Sequence, residues 1–277
     1  MNWLKKFFKF REKSDGDVVK PFLEHMEDLR WTIIKIIIVQ FITMFGAFFF
    51  RKDLMYVLQT PLAKVAPDLP GKLITTGIAD SFIISLELAF FSGIALAFPF
   101  HVYFVANFVL PALTRKERSY LLPGIAAGFA FFLGGVVIAY NYILPTTLHF
   151  FYHDALDVVH VNPLWTWRAY FSFSAWLCFG FGLMCEVPVV IVVLALLGLV
   201  SFHFLQRTRP FAYVIVLILS AVIAPTPDPV TFITLSIPVL LMYEACIWVV
   251  WLLDRRRTTR EKEERDSLDG RDNAPRD

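Results

Sequence analysis

Charge is scarce in this chain of 277 residues. Asp, Glu, Lys and Arg make up 18% of it, against about a quarter in a soluble domain. Cysteine is scarcer still. Cys178, Cys185 and Cys246 all sit inside apolar runs, which argues against a disulfide framework or a metal site and reads them as small core hydrophobes. The sequence contains no His-Glu-x-x-His and no Gly-x-Ser-x-Gly. Gly71-Lys72 lacks the upstream glycine of a phosphate-binding loop and is followed by Leu73. These absences argue against an enzyme, imply no cofactor, and leave any transport energy to an outside source such as a proton gradient. Nothing points to nucleic acid. The basic start, Met1 to Arg11, is followed by no apolar core and no small-residue cleavage site, so a cleaved signal peptide is not expected. Its Trp3, Leu4, Phe7 and Phe8 suit either a short helix on an anionic leaflet or a frayed basic tail.

Apolar surface is abundant instead. Hydrophobic residues are 57% of the chain and aromatics 16%, with 29 Phe. Charges collect in loops and at the ends, as in a multi-span membrane protein. The pattern predicts an all-α membrane protein with six transmembrane helices. The spans fall at about 31–50, 81–108, 121–144, 170–200, 211–224 and 230–253, the last two short. Three domains follow: an amphipathic N-terminal segment over 1–30, the six-helix domain over 31–253, and a charged, disordered tail over 254–277. Leu54, Val57 and Leu58 have helical spacing in the first outer loop and suggest a short surface helix. Residues 145–169 read as a second outer loop. Pro225-Thr-Pro-Asp-Pro229 forces a tight turn between the last two spans. A single re-entrant hairpin is the alternative there.

Lys and Arg counts set the orientation. Residues 1–30 hold seven, 107–124 three, 201–210 two and the tail eight; the other side holds four in 51–80 and one in 145–169. The positive-inside rule then places both termini in the cytoplasm, in a plasma (inner) membrane. The hairpin Asn107 to Gly124, bracketed by Pro111 and Pro123, lies on the same side. Its tip holds Arg115, Lys116, Glu117 and Arg118, a carboxylate among cations that could receive a guanidinium. Glu24, Glu27 and Asp28 cluster just before the first span. Glu24 and Asp28 share a helix face, which suits either ordinary first-turn acidic bias or an anionic site for a cationic peptide. Within the spans, Glu186 near Pro188 is the sharpest functional candidate, because a central charge costs about 2.5–3.5 kcal/mol on insertion scales. Glu87 and Glu244 follow. His101 reads as a satisfied interfacial histidine, and Gly124 to Gly128 as a face for close helix packing.

These motifs together resemble one family. His25-Met-Glu-Asp-Leu-Arg30 is similar to the His-Leu-x-Glu-Leu-Arg opening of TatC, the multi-span receptor of the twin-arginine translocase. Phe108 to Arg118 resembles its first cytoplasmic loop, and Phe181-Gly-Leu-Met-Cys-Glu-Val-Pro188 its fourth span. Pro225-Thr-Pro-Asp228, Ile237-Pro238 and Tyr243-Glu244 resemble its last hairpin. The resemblance implies a receptor that binds twin-arginine signal peptides and passes folded proteins across the membrane. Its partners would be TatA-type and TatB-type single-span proteins and other copies of itself. It further implies that Glu117 binds the paired arginines, with Asp28, Arg30, Phe108 and Arg118. Glu186 would lie on the concave face of the bundle, while Pro61, Asp228 and Glu244 are partner-contact positions. The chain departs from the family at Met26, Asp28, Thr32, Ser119 and Phe232. The competing reading is a small-solute or ion transporter working through Glu87, Glu186 and Glu244. No convincing internal repeat between 31–144 and 170–253 supports it.

Overall fold

The computed structural model describes residues 22–67, 69–109, 121–160, 164–224 and 228–272, of which 22–24, 109, 121–122 and 256–272 by backbone only. Six of its helices are long and apolar enough to cross a membrane: His25–Phe49, Asp80–Phe108, Pro123–Val158, Trp167–Leu196, Phe202–Ile223 and Pro229–Arg255. They are carried by α1 (Phe22–Phe49), α3 (Asp80–Val109), α4 (Leu121–Ile138) with its extension α5 (Leu144–His153), α6 (Trp167–Met184) with α7 (Glu186–Leu196), α8 (Phe202–Ile223) and α9 (Pro229–Asp272). The surface helix is α2, Arg51–Val65, as the spacing of Leu54, Val57 and Leu58 predicts. No regular strand occurs among the described residues; Ile74 and Thr166 form an isolated bridge.

Glycine sets how closely these helices approach. A Cβ on Gly93 of α3 would stand 2.8 Å from the backbone of Met44 in α1, so these two helices meet main chain to main chain. On Gly135 of α4 it would stand 2.7 Å from Cys185 Sγ and 3.0 Å from Gly182 Cα. Phe132 and Phe181 are fully buried beside this seam. Among the described residues, most charged side chains lie at helix ends and in loops, where hydration is cheap.

Three boundaries depart from the sequence reading. Helix does not stop near Leu144. A π-helical turn over Ala139–Ile143 lets the Leu144 N–H donate to Ala139 O, widening the helix just ahead of Pro145 so that its ring is accommodated. Helix then continues to Val158, so much of the expected loop 145–169 is helical. The 36 residues of this span reach about 54 Å, well past a hydrocarbon core of about 30 Å. The 201–210 loop is the first part of α8, which makes the fifth helix 22 residues long while its apolar part from Phe211 stays short. Its start is fixed by Ser201 Oγ accepting from Phe204 N–H and by Asp254 Oδ2 accepting from Phe202 N–H at 2.8 Å. The charged tail, expected to be disordered from 254, is helical to Asp272 as the end of α9. Its Arg, Lys and Glu content has high helix propensity.

The fourth span breaks where Pro188 demands it. Pro188 has no N–H for the carbonyl of Met184, and helix is interrupted at Cys185 between α6 and α7. At the end away from the termini, side chains clamp the loops into a cap. Tyr140 donates to Val57 O at 2.7 Å, Tyr170 to Leu58 O, and Trp167 Nε1 to Leu73 O at 3.0 Å.

Candidate functional site

At the end of the bundle nearest the N-terminus, α1 and α3 lie side by side. The hydroxyl of Thr32 donates to the Asp28 carbonyl at 2.8 Å. Asp28 is half-buried and Arg30 exposed. Phe108 stands at the last turn of α3, and the His25 ring lies flat on it, with centroids 4.3 Å apart and planes inclined by 19°. The fold therefore brings Asp28, Arg30 and Phe108 to one end. Glu117 and Arg118 lie outside the described residues, in the segment that joins Phe108's helix to α4.

Glu186 is half-buried at the α6–α7 junction and faces α4. A Cβ on Gly128 would come within 3.0 Å of Glu186 Oε2, so the absent side chain makes room for the carboxyl. Glu186 Oε1 has no hydrogen-bond partner among the described residues. An unpartnered carboxyl oxygen held inside an apolar bundle is costly and can accept a donor from outside the chain.

The other sequence candidates are held by separate partners. Glu87 accepts from Ser172 Oγ at 2.5 Å. Glu244 accepts from the Tyr213 hydroxyl and pairs through Oε2 with Arg209 Nη2 at 3.0 Å, tying α8 to α9. Asp228 Oδ1 accepts from Thr231 N–H at 2.7 Å and so caps α9. Pro61 is buried within α2. His101 hydrogen-bonds to the backbone of Ile36, while its Nε2 lacks a partner among the described residues. Glu87 and Glu244 are held by different partners, and no described contact links either of them to Glu186, so the geometry gives the transporter reading no support.

Sequence reasoning missed a site at the opposite end. Buried Asp80 accepts at Oδ2 from Gly77 N–H at 2.6 Å and Thr76 N–H at 3.2 Å, and its Oδ1 lies 3.6 Å from Arg168 Nη1. With Thr166 and Ser172 these residues line an open cavity of about 510 Å³. Asp80 has only a weak sequence signal, an acid at the first turn of a span. Arg168 lies 88 residues away in the chain, and only the fold pairs them. Among the described residues no group of three or more His, Cys, Asp or Glu could hold a metal ion.

Comparison with known proteins gives a consistent result. A family model described as Sec-independent protein translocase protein (TatC) matches residues 24–238. The Sec-independent protein translocase protein TatC of Deinococcus radiodurans is 34% identical over 227 residues, covering 81% of this chain and 83% of that protein. That of Synechocystis is 33% identical over 246 residues, covering 89% and 94%. One from Akkermansia muciniphila is 35% identical over 185 residues, which is 67% of this chain and 53% of that longer protein. A crystal structure of a twin arginine translocase receptor TatC aligns with a TM-score of 0.73 at 30% identity, over 82% of this chain and 98% of that one.

Proposed function

Because the chain belongs to the TatC family of Sec-independent protein translocases, we propose that it is the signal-peptide receptor of such a translocase. Family membership makes it a multi-pass membrane component of a Tat translocase and not an enzyme. Its receptor role would be performed at the end of the bundle that holds Asp28 and Phe108. Paired arginines of a signal peptide present two planar guanidinium forks, and carboxylates accept these in a two-bond geometry that lysine cannot copy. Glu117 supplies one carboxylate and Asp28 the other, with Arg30 and Arg118 at the rim and Phe108 supporting the loop. The observation that carries this reading is the packing of α1 against α3, which sets Asp28 beside the helix end that leads to Glu117.

Both termini and this site face the cytoplasm, in keeping with the Lys and Arg distribution. The last hairpin and the Glu186 carboxyl receive single-span partners of the TatA and TatB type. Transport of folded cargo draws on the proton gradient.

Binding of a labelled twin-arginine peptide to the purified full chain tests the proposal, with a Lys-Lys peptide as control. Glu117→Gln abolishes the preference for Arg-Arg while the protein still inserts, and Glu117→Asp loses less because charge survives with shorter reach. Unchanged Arg-Arg preference in Glu117→Gln removes this residue from the site. Equal binding of both peptides by the parent chain rejects the receptor role.

A further inference from the structure

The cavity beside Asp80 lies where two spans begin. α3 starts at Asp80 and α6 at Trp167, so the cavity stands at the level where headgroups give way to hydrocarbon. Trp167 marks that level. Its ring stacks on Phe171 and its Nε1 donates to Leu73 O at 3.0 Å, the half-apolar, half-wet setting that tryptophan favours. The residues that flank the polar lining along the chain are large and apolar. Ile78, Phe82 and Leu164 are all exposed. A polar hollow bordered by bare apolar side chains fits a lipid, with its headgroup inside and its chains along the border.

The lining carries both signs of charge with capacity to spare on each. Asp80 is buried, and its Oδ2 takes the N–H groups of Thr76 and Gly77. Its Oδ1 has Arg168 Nη1 at 3.6 Å and no closer partner among the described residues. A full-strength charge-assisted contact is about 2.7–2.9 Å, so Arg168, at 54% exposure, keeps donors for a ligand. Thr166 Oγ1 accepts from Ala169 N–H at 3.1 Å, which leaves its own proton to give. Ser172 Oγ donates to Glu87, which leaves its lone pairs to accept. Donors therefore sit on Arg168 and Thr166, and acceptors on Asp80 and Ser172. A simple anion would face the Asp80 carboxylate, and a simple cation the Arg168 guanidinium.

We propose that this cavity binds the phosphoethanolamine headgroup of a membrane phospholipid. The phosphate takes the Arg168 guanidinium and the Thr166 hydroxyl. The ammonium, a short link away, gives its N–H groups to Asp80 Oδ1 and Ser172 Oγ. Phosphocholine carries the same two charges but has no N–H to give, and phosphoglycerol has no cation. The proposal stands apart from the receptor reading, since none of these residues belongs to the peptide site.

The test is native mass spectrometry of the purified full chain in detergent, titrated with short-chain phosphatidylethanolamine, phosphatidylcholine or phosphatidylglycerol. The parent retains phosphatidylethanolamine roughly tenfold more tightly than the other two, the scale of one lost charge-assisted hydrogen bond. Arg168→Gln weakens that retention by a similar factor. Ala169→Leu, which fills the cavity and leaves every charge in place, abolishes the preference. Both residues are exposed, so both variants keep the parent's thermal midpoint in lipid-free detergent. Asp80→Asn is the less clean variant, because Asp80 also holds the turn at Thr76 and Gly77. Equal retention of the three lipids by the parent, or no retention above background, overturns the proposal. Phosphatidylglycerol held as tightly as phosphatidylethanolamine overturns it too, in favour of a plain anion site. Arg168→Gln and Ala169→Leu both retaining phosphatidylethanolamine as the parent does would leave Asp80 and Arg168 as an ion pair between α3 and α6 and nothing more.

Discussion

Glu186 combines a buried acceptor without a partner and a glycine opposite it. Removing a buried, unsatisfied polar group is neutral or stabilising. Glu186→Ala is therefore expected to leave the thermal midpoint in detergent unchanged or raised while export falls. A clear drop in midpoint would show the carboxyl to be satisfied within the fold. Glu244 behaves in the opposite way, since both of its oxygens are engaged by α8. Arg209 and Glu244 are each about one-third exposed, at 35% and 31%, so their pair contributes at most about 1 kcal/mol. Arg209→Ala and Glu244→Gln each leave one charge without its counter-ion, so the double substitution should cost less than the sum of the two single ones. Melting curves of both variants and of the double substitution test this non-additivity. The sequence singled out both carboxyls as polar groups in apolar runs. Their partners were not legible, because Gly128 lies 58 residues before Glu186 and Arg209 lies 35 residues before Glu244, and helix periodicity says nothing about which helices meet.

At the scale of elements, the closest approach between α1 and α3 rests on one missing side chain. Gly93→Ala would place a methyl against the Met44 main chain, which cannot swing away as a side chain can. We expect a loss of about 1–3 kcal/mol, seen as a lower midpoint and easier proteolysis of the first helix. The cap offers a gentler case. Trp167→Phe keeps the ring stacked on Phe171 and deletes the bond to Leu73 O, for a cost of about 0.5–1.5 kcal/mol. Proline shows why boundaries were harder to read than elements. The stretches 145–169 and 201–210 were expected to be loops, yet Pro145 and Pro210 both lie within helix, the first aided by a π turn. Pro188 does coincide with a break, at Cys185. Proline forbids one hydrogen bond, and the neighbouring helices decide whether the chain bends, widens or breaks in response.

For the whole molecule, orientation is the property to measure. Single cysteines placed at Asn162 and at Asp269 should differ in intact cells: the first labelled by a membrane-impermeant maleimide, the second only after permeabilisation. The reverse pattern would invert the proposed topology. Cys178, Cys185 and Cys246 are buried and contribute little background. Six spans, their order and the family were written in composition, run length and ordered motifs, because a bilayer demands long apolar helices and excludes charge from them. The union of Asp28 with the end of α3, the glycine seat of Glu186, the Arg209–Glu244 clasp and the Asp80–Arg168 cavity came only with the tertiary structure. Each joins residues from different helices, and helix-to-helix register is set by side-chain packing, which a linear hydrophobic pattern does not encode.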